Sequence, residues 1–323
     1  MAESSIIRLG TRGSQLARAQ TAAVAARLRD RGHAVAIETI TTVGDVRTDL
    51  PIAGLVHEPG GGDGVFVREL EQALLAGRID AAVHSLKDLP TALPEGLALA
   101  CVPERVLPFD VLVAGPGSTL ATLPAGAVVG TSSIRRVVQV RRLRPDLAIR
   151  PIRGNVDTRL RKLEAGACDG LILAGAGLHR LGLAGRITEV LAPPAFSPAV
   201  AQGAVAVEIR AGDARTRAAL AALDDGPAHA AVRAERACLA ALAGGCLAPI
   251  GGWAREVGGR LTLTATVFED DGATTHAATA ELAADDDEPP EALGRRVAAA
   301  LAAAGAADML RRMRDRQSPR MDE

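Results

Sequence analysis

Tyrosine is absent from the 323-residue chain, and the remaining aromatics are one tryptophan and four phenylalanines. Proteins that hold single-stranded nucleic acid stack bases on aromatic platforms, and this chain has too few rings to build them. No sign of charge dominates either. The 37 basic and 38 acidic residues leave a formal net charge of −1. That balance argues against a general nucleic-acid or membrane-surface binder, so any anion site must come from local clusters. No apolar run reaches the length of a membrane-spanning helix. Residues 1–8 contain no basic stretch leading into an apolar core, so a cytosolic location and no membrane partner are expected. The four cysteines, Cys101, Cys168, Cys238 and Cys246, lack metal-ligand spacing. Neither a metal site nor a disulfide is expected. Lysine is the last scarcity: only Lys87 and Lys162 occur among the basic residues.

What is present reads as alternating strands and helices. Residues 6–10 suit a strand, and Thr11-Arg12-Gly13-Ser14 turns into a helix that Gly32 stops, with Ser14 as its N-cap. A second strand fits 34–43. Residues 49–64 hold two prolines and a glycine run without a following Gly-Lys-Ser/Thr, which rejects a P-loop and leaves a mobile lid or a plain surface loop. Phe66, Leu70, Ala73 and Leu74 recur at helical spacing, and strands follow at 79–83 and 97–102. Prolines at 103 and 108 mark a crossing to a second unit. There, strands at 127–130, 148–152 and 170–174 alternate with helices, the first opened by Thr131-Ser132-Ser133 and the second by Arg153-Gly154-Asn155. Pro193, Pro194 and Pro198 mark a return, and 204–209 can be a strand of the first unit.

This alternation predicts an α/β protein with mainly parallel sheets: a first lobe over 1–103 completed by 204–222, and a second over 109–198. Two crossings between them make a hinge over a cleft. From about 226 the pattern changes. An alanine-rich helix at 229–243, alternating strands near 251–255, 260–268 and 274–282, and a helix over 289–313 predict a smaller α+β third domain with an antiparallel sheet, 226–323.

The stretch His84-Ser85-Leu86-Lys87-Asp88-Leu89-Pro90 crowds polar and turn-forming residues at the end of a buried strand, where open α/β sheets bind ligands. A solvated ion pair in a turn would account for it on local grounds. However, a chain that uses arginine nearly everywhere yet keeps Lys87 can need a compact, flexible ammonium there. Arg12, Arg135, Arg136, Arg153, Arg159 and Arg180 all fall at strand-to-helix junctions, where helix N-termini favour anions. Any one could be a surface arginine. Together they point to a small ligand with several carboxylates or phosphates, which a planar guanidinium grips through both oxygens. Cys246 lies in a glycine-flanked loop, as a small buried residue or as a covalent site.

Ordered blocks of these residues resemble the porphobilinogen deaminase (hydroxymethylbilane synthase) family from near the start to about residue 255. They are Thr11-Arg-Gly-Ser14, Phe66-Val-Arg-Glu-Leu70, the 84–90 stretch, Gly130-Thr-Ser-Ser-Ile-Arg-Arg136, Arg153-Gly-Asn-Val156 with Arg159, Gly177-Leu-His-Arg-Leu-Gly182, Gln202-Gly203 and Gly244-Gly-Cys-Leu-Ala-Pro-Ile-Gly251. The resemblance implies two lobes like those of a periplasmic binding protein plus a third domain. It also implies polymerisation of four porphobilinogen molecules, with loss of ammonia at each step, to hydroxymethylbilane for heme biosynthesis. It further implies a dipyrromethane cofactor joined by a thioether to Cys246, Asp88 as the catalytic carboxylate, and a monomer. The implied cofactor and substrate contacts are Arg12, Ser14, Phe66, Ser85, Lys87, Thr131, Ser132, Ser133, Arg135, Arg136, Arg153, Gly154, Arg159, Arg180 and Gln202. One departure is Asp63, where family members often carry a lysine before the matching Gly64 and Phe66. The competing reading is a non-catalytic two-lobed anion-binding protein, which would share the cleft and the arginines but has no use for Asp88 or Cys246.

Overall fold

The computed structural model describes residues 6–42, 67–242, 248–270, 274–283 and 286–317. The chain begins with strand β1 (Ile7–Arg12), helix α1 (Gln15–Arg29) and strand β2 (Val35–Ile40). Ser14 caps α1 by accepting from the Ala17 amide at 3.3 Å. Arg27 and Arg29 lie in its last turn, where unpaired carbonyls favour positive charge. Helix α2 (Arg68–Leu75) precedes β3 (Ala81–Ser85), a 3-10 turn over Leu86–Asp88 ends that strand, and β4 (Leu97–Cys101) follows. Val24, Ala25 and Leu28 of α1 pack on Ala81 and Val83 from one face of this sheet. Leu70 and Leu74 of α2 pack on Ile79 and Ala82 from the other. Burying each such leucine fully contributes about 1.5–3 kcal/mol.

The second sheet is made of β5 (Asp110–Ala114), β6 (Val128–Gly130), β7 (Ala148–Arg150), β8 (Gly170–Ala174) and β9 (Glu189–Leu191). Helix α3 (Ile134–Leu143) joins β6 to β7, α4 (Val156–Glu164) joins β7 to β8, and α5 (Gly175–Arg180) follows β8. Strand β10 (Val205–Arg210) then returns to the first sheet. The strand orders are β2-β1-β3-β10-β4 and β7-β6-β8-β5-β9. In each sheet four strands point one way and the fourth in order runs against them. The reversed strand is both times the first one after a crossing. The mainly parallel α/β reading therefore holds, with one reversed strand per sheet. Strands β5 and β9 were not visible in the sequence pattern, because β5 follows directly on the crossing and β9 is a three-residue edge.

After α6 (Ala214–Ala221) come α7 (Gly226–Ala241), the antiparallel strands β11 (Ile250–Val257), β12 (Arg260–Phe268) and β13 (Thr275–Ala283), and helices α8 (Pro290–Ala303) and α9 (Ala306–Gln317). Gly294 lets α8 close onto α7, since a Cβ there would meet the Cys238 nitrogen at 2.8 Å. The single helix expected over 289–313 is two, because Gly305 adopts φ +101 between them. Leu263, Val267, Leu293, Val297 and Leu301 fill the core beneath this sheet.

The crossings concentrate left-handed backbone: Leu107 at φ 28, Ala201 at φ 59 and Gly203 at φ 88. Such non-glycine positions cost about 1–3 kcal/mol each and persist only where the surroundings hold them. Here Glu235 of α7 does the holding. Its carboxylate accepts from the Ala201 amide, the Ala254 amide and Arg105 Nη1, each at 2.6 Å. Arg105 in turn donates to the Gln202 carbonyl at 3.1 Å.

Candidate active site

The carboxyl ends of the parallel strands of both sheets face one cavity of about 280 Å³. Arg12 and Ser14 reach it from the junction of β1 and α1, and Ser85, Lys87 and Asp88 from the end of β3. Across the cleft, Ser132 and Arg136 come from the junction of β6 and α3, Arg153, Gly154 and Arg159 from the start of α4, and Arg180 from α5. Gly154 is required at its place: its φ is +113, and a Cβ would meet Thr158 Cγ2 at 2.7 Å. Each lobe thus supplies its wall from the turns and helices that follow its strands, which a rigid sheet fixes.

The wall is rich in cations that water does not fully screen. Burial depresses the Lys87 ammonium to about 8, with Asp88 opposing and Arg136 adding to the fall. Its Nζ donates to Gln202 Oε1 at 3.4 Å. Burial likewise lowers Arg159 to about 10, assisted by Arg136 and Arg153. The Arg159 Nε donates to the Gly154 carbonyl at 2.7 Å. Arg180, also lowered by burial, donates to the Gly203 carbonyl at 2.7 Å and to Glu104 at 3.2 Å. Cations crowded this way press on one another and favour an anionic ligand. Ser132 Oγ is buried and has no hydrogen-bond partner among the described residues, leaving a polar atom for a ligand to satisfy.

A cleft with this chemistry is accompanied by a direct sequence match. Residues 7–218 match the family model "Porphobilinogen deaminase, dipyromethane cofactor binding domain", and residues 229–303 match "Porphobilinogen deaminase, C-terminal domain". The chain belongs to the porphobilinogen deaminase family. Among its relatives, the porphobilinogen deaminase of Syntrophobacter fumaroxidans is 49% identical over 83% of this chain and 85% of that one. The porphobilinogen deaminase of a Roseiflexus species (strain RS-1) is 51% identical over 82% of this chain and 86% of its own. A nutrient binding protein from Burkholderia cenocepacia, solved bound to methionine, aligns in structure at a TM-score of 0.42 and 12% identity, over 69% of this chain and 92% of that one. Family membership favours an enzyme over the non-catalytic binding protein.

Not every expected ligand contact of this family reaches the cavity here. Arg135 is placed off the wall: its Nη1 donates to Asp110 Oδ2 at 2.7 Å and to the Ser197 carbonyl. Arg136 lines the cavity, but it too grips Asp110, through Nε at 2.9 Å and Nη2 at 2.7 Å. Burial would raise the Asp110 carboxyl, yet the two guanidiniums outweigh it and hold the group well below the usual carboxylate range. Thr131, whose hydroxyl accepts from the Ser133 amide at 3.3 Å, lies beside the wall, as do Ser133 and Gln202. The Gln202 amide donates to the Pro108 carbonyl at 3.0 Å and to Asp110 Oδ1 at 3.1 Å, linking Lys87 to the Asp110 cluster. Sequence reasoning missed Asp110. Its one signal was a lone acid heading the apolar run 111–113 just past a crossing. Phe66, Asp63 and Cys246 lie outside the described residues.

Proposed function

We propose that the protein is a transferase that joins four porphobilinogen molecules head to tail, releasing ammonia at each step, to give hydroxymethylbilane for heme biosynthesis. It acts as a cytosolic monomer with no nucleic-acid partner. The observation that carries this reading is the Asp88 carboxylate, set at the end of β3 in a wall of half-buried cations. Porphobilinogen carries acetate and propionate groups, so a cavity lined by Arg12, Lys87, Arg136, Arg153, Arg159 and Arg180 suits it and its oligomers. The same wall fits a dipyrromethane, with the Ser132 hydroxyl still to be satisfied and Arg136 and Arg159 lining the same cavity. When bound, that group supplies the primer carbon for the first coupling.

The chain's own residues do the rest. As the carbon–nitrogen bond of porphobilinogen breaks, the electron pair leaves with ammonia and positive charge develops on the pyrrole and its methylene. Asp88, kept in a cavity where charge is poorly screened, stabilises that developing cation. The same carboxylate can pass a proton to the leaving amine and take the one released as the new carbon–carbon bond forms. The arginines bind the side-chain carboxylates and hold both reacting carbons in place. Ser85 is fixed against Gln20 Nε2 at 3.0 Å, so its hydroxyl is presented in one orientation.

Attachment through Cys246 is supported by the other three thiols, which are all buried. Burial pushes Cys101 and Cys238 up to about 12, with Asp224 and Glu235 respectively adding to the rise, and it raises Cys168 as well. None is a ready nucleophile. Intact-mass spectrometry of the purified protein should show an excess of two linked pyrrole units over the sequence mass, and Cys246→Ser should remove it. An active enzyme of unmodified mass, or an adduct mapped to one of the buried cysteines, would refute the assignment.

A further inference from the structure

The Asp88 carboxylate receives no hydrogen bond from any described residue. Lys87 and Arg159 attract it through space, and the main chain around it sets where it stands. Ahead of it, the Leu86 amide donates to the Ala204 carbonyl at 3.0 Å. Across it, the Leu89 amide closes the turn onto the Leu86 carbonyl at 3.1 Å. Beyond it, the ladder that β3 forms with β10 has already ended at Ser85, and Pro90 has no amide proton to offer. The carbonyls of residues 89–91 are taken up by a residue of the third domain. Arg236 of α7 donates from Nη1 to Leu89 O at 2.9 Å, and from Nη2 to Pro90 O at 2.6 Å and Thr91 O at 3.2 Å.

One planar guanidinium thus spans three consecutive peptide carbonyls, a task for a rigid fork that a lysine ammonium cannot reproduce. Val232 and Leu239, on the same face of α7, pack with Leu86 and Leu89 in one cluster, so this helix face forms the underside of the turn. The neighbouring Glu235 anchors α7 to the crossings and to β11 through its three short hydrogen bonds. We propose that Arg236 is a positioning residue: it fixes the main chain at 89–91 so that the Asp88 carboxylate keeps its aim into the cavity. The proposal rests on Asp88 being the catalytic carboxylate.

The test compares Arg236→Ala, Arg236→Lys, Asp88→Asn and the doubles with Asp88→Asn. Each is prepared as holoenzyme, with intact mass confirming the cofactor. Readouts are kcat, KM for porphobilinogen and Tm. A displaced catalytic group costs up to about 100-fold, so Arg236→Ala should lower kcat between about 10- and 100-fold. The KM should hold within about twofold, because substrate binding lies with other residues. Arg236→Lys should keep most of the Tm and recover little of the kcat. In the Asp88→Asn background, Arg236→Ala should cost less than about twofold further, since a group with nothing left to aim has no effect. Arg233→Ala, which breaks an exposed pair with Glu291 on the same helix, should keep wild-type turnover. If the Ala variant does not fold, Arg236→Lys and its double carry the same comparison. Wild-type kcat in Arg236→Lys or Arg236→Ala overturns the proposal, as does a loss that adds in full on Asp88→Asn. Near-normal turnover by Asp88→Asn alone would instead overturn the catalytic reading of Asp88, and this proposal with it.

Discussion

The two five-stranded sheets share one strand order and one reversed strand, yet they deliver different chemistry to the cleft. The first lobe brings a carboxylate and an ammonium on the turn after β3. The second brings arginines at the starts of α3 and α4 and, in place of the expected strand-to-helix junction, Arg180 at the last residue of α5. Each lobe also buries one aspartate between two arginines. In the first, Asp80 accepts from Arg8 at 2.8 Å and Arg210 at 3.3 Å, just before β3 and so at the end of the sheet away from the cavity. In the second, Asp110 begins the reversed strand β5, so it lies at the cavity end, beside Arg135 and Arg136. The difference teaches that strand direction decides whether a buried ion pair serves only stability or also shapes a site.

The largest expected effect tests that contrast. Asp110→Ala leaves two buried guanidiniums without their carboxylate, and breaking such a buried pair costs about 3–5 kcal/mol. The Tm should fall steeply and any folded enzyme should turn over poorly. Asp80→Asn, far from the cleft, should lower the Tm less and leave kcat and KM at wild-type values. Equal kinetic losses in the two would erase the contrast.

Asp88→Asn comes next. Removing one preorganised stabiliser of developing charge costs on the order of 10²–10³ in turnover, and Tm should hardly move. A kcat within twofold of wild type would show that the first lobe does not own the chemistry. On the second lobe's side, Arg159→Leu should raise KM or stall cofactor assembly by an amount matching one charge-assisted bond, about 1.5–3 kcal/mol. Arg135→Leu should instead act mainly on Tm, because its guanidinium is spent on Asp110 and Ser197. Steady-state kinetics beside calorimetry separates the two.

The smallest effect is a pH dependence. Burial holds the Lys87 ammonium near 8, so it is charged below that pH and loses its proton as pH rises through it. Between pH 7 and pH 9 the KM for porphobilinogen should rise several-fold, because a cation facing the ligand carboxylates disappears. In Lys87→Arg the guanidinium stays charged over this window, and the rise should flatten. A profile unchanged by that substitution would remove Lys87 from substrate binding.

Much of this was legible in the residues. Helix α1 announced itself through Ser14 and Gly32, and the starts of α3 and α4 through Thr131-Ser132-Ser133 and Arg153-Gly154-Asn155, because caps and turns are local chemistry. The 84–90 stretch and the arginines were likewise found where open sheets place ligands. Residues whose role depends on a distant partner were not. Gln202, expected as a ligand contact by resemblance, gave no sign that it also bridges Lys87 to Asp110. Arg236 looked like one more basic residue on an alanine-rich helix. Glu235, beside it, gave no sign that it joins three segments.

By itself, then, the sequence determined the alternation of strands and helices, the change of character near residue 226, the family and the residues at strand ends. Each of these follows from neighbours in the chain, through periodicity, capping and turn chemistry. Only the tertiary structure decided which arginines face the cavity and which are taken up by carboxylates or carbonyls. That choice depends on β5 and β10 inserting against the direction of their sheets and on α7 closing beneath the Asp88 turn. A guanidinium commits to whichever acceptor is nearest in space, and Asp110 meets Arg135 across 25 positions of chain, while Leu89 meets Arg236 across 147.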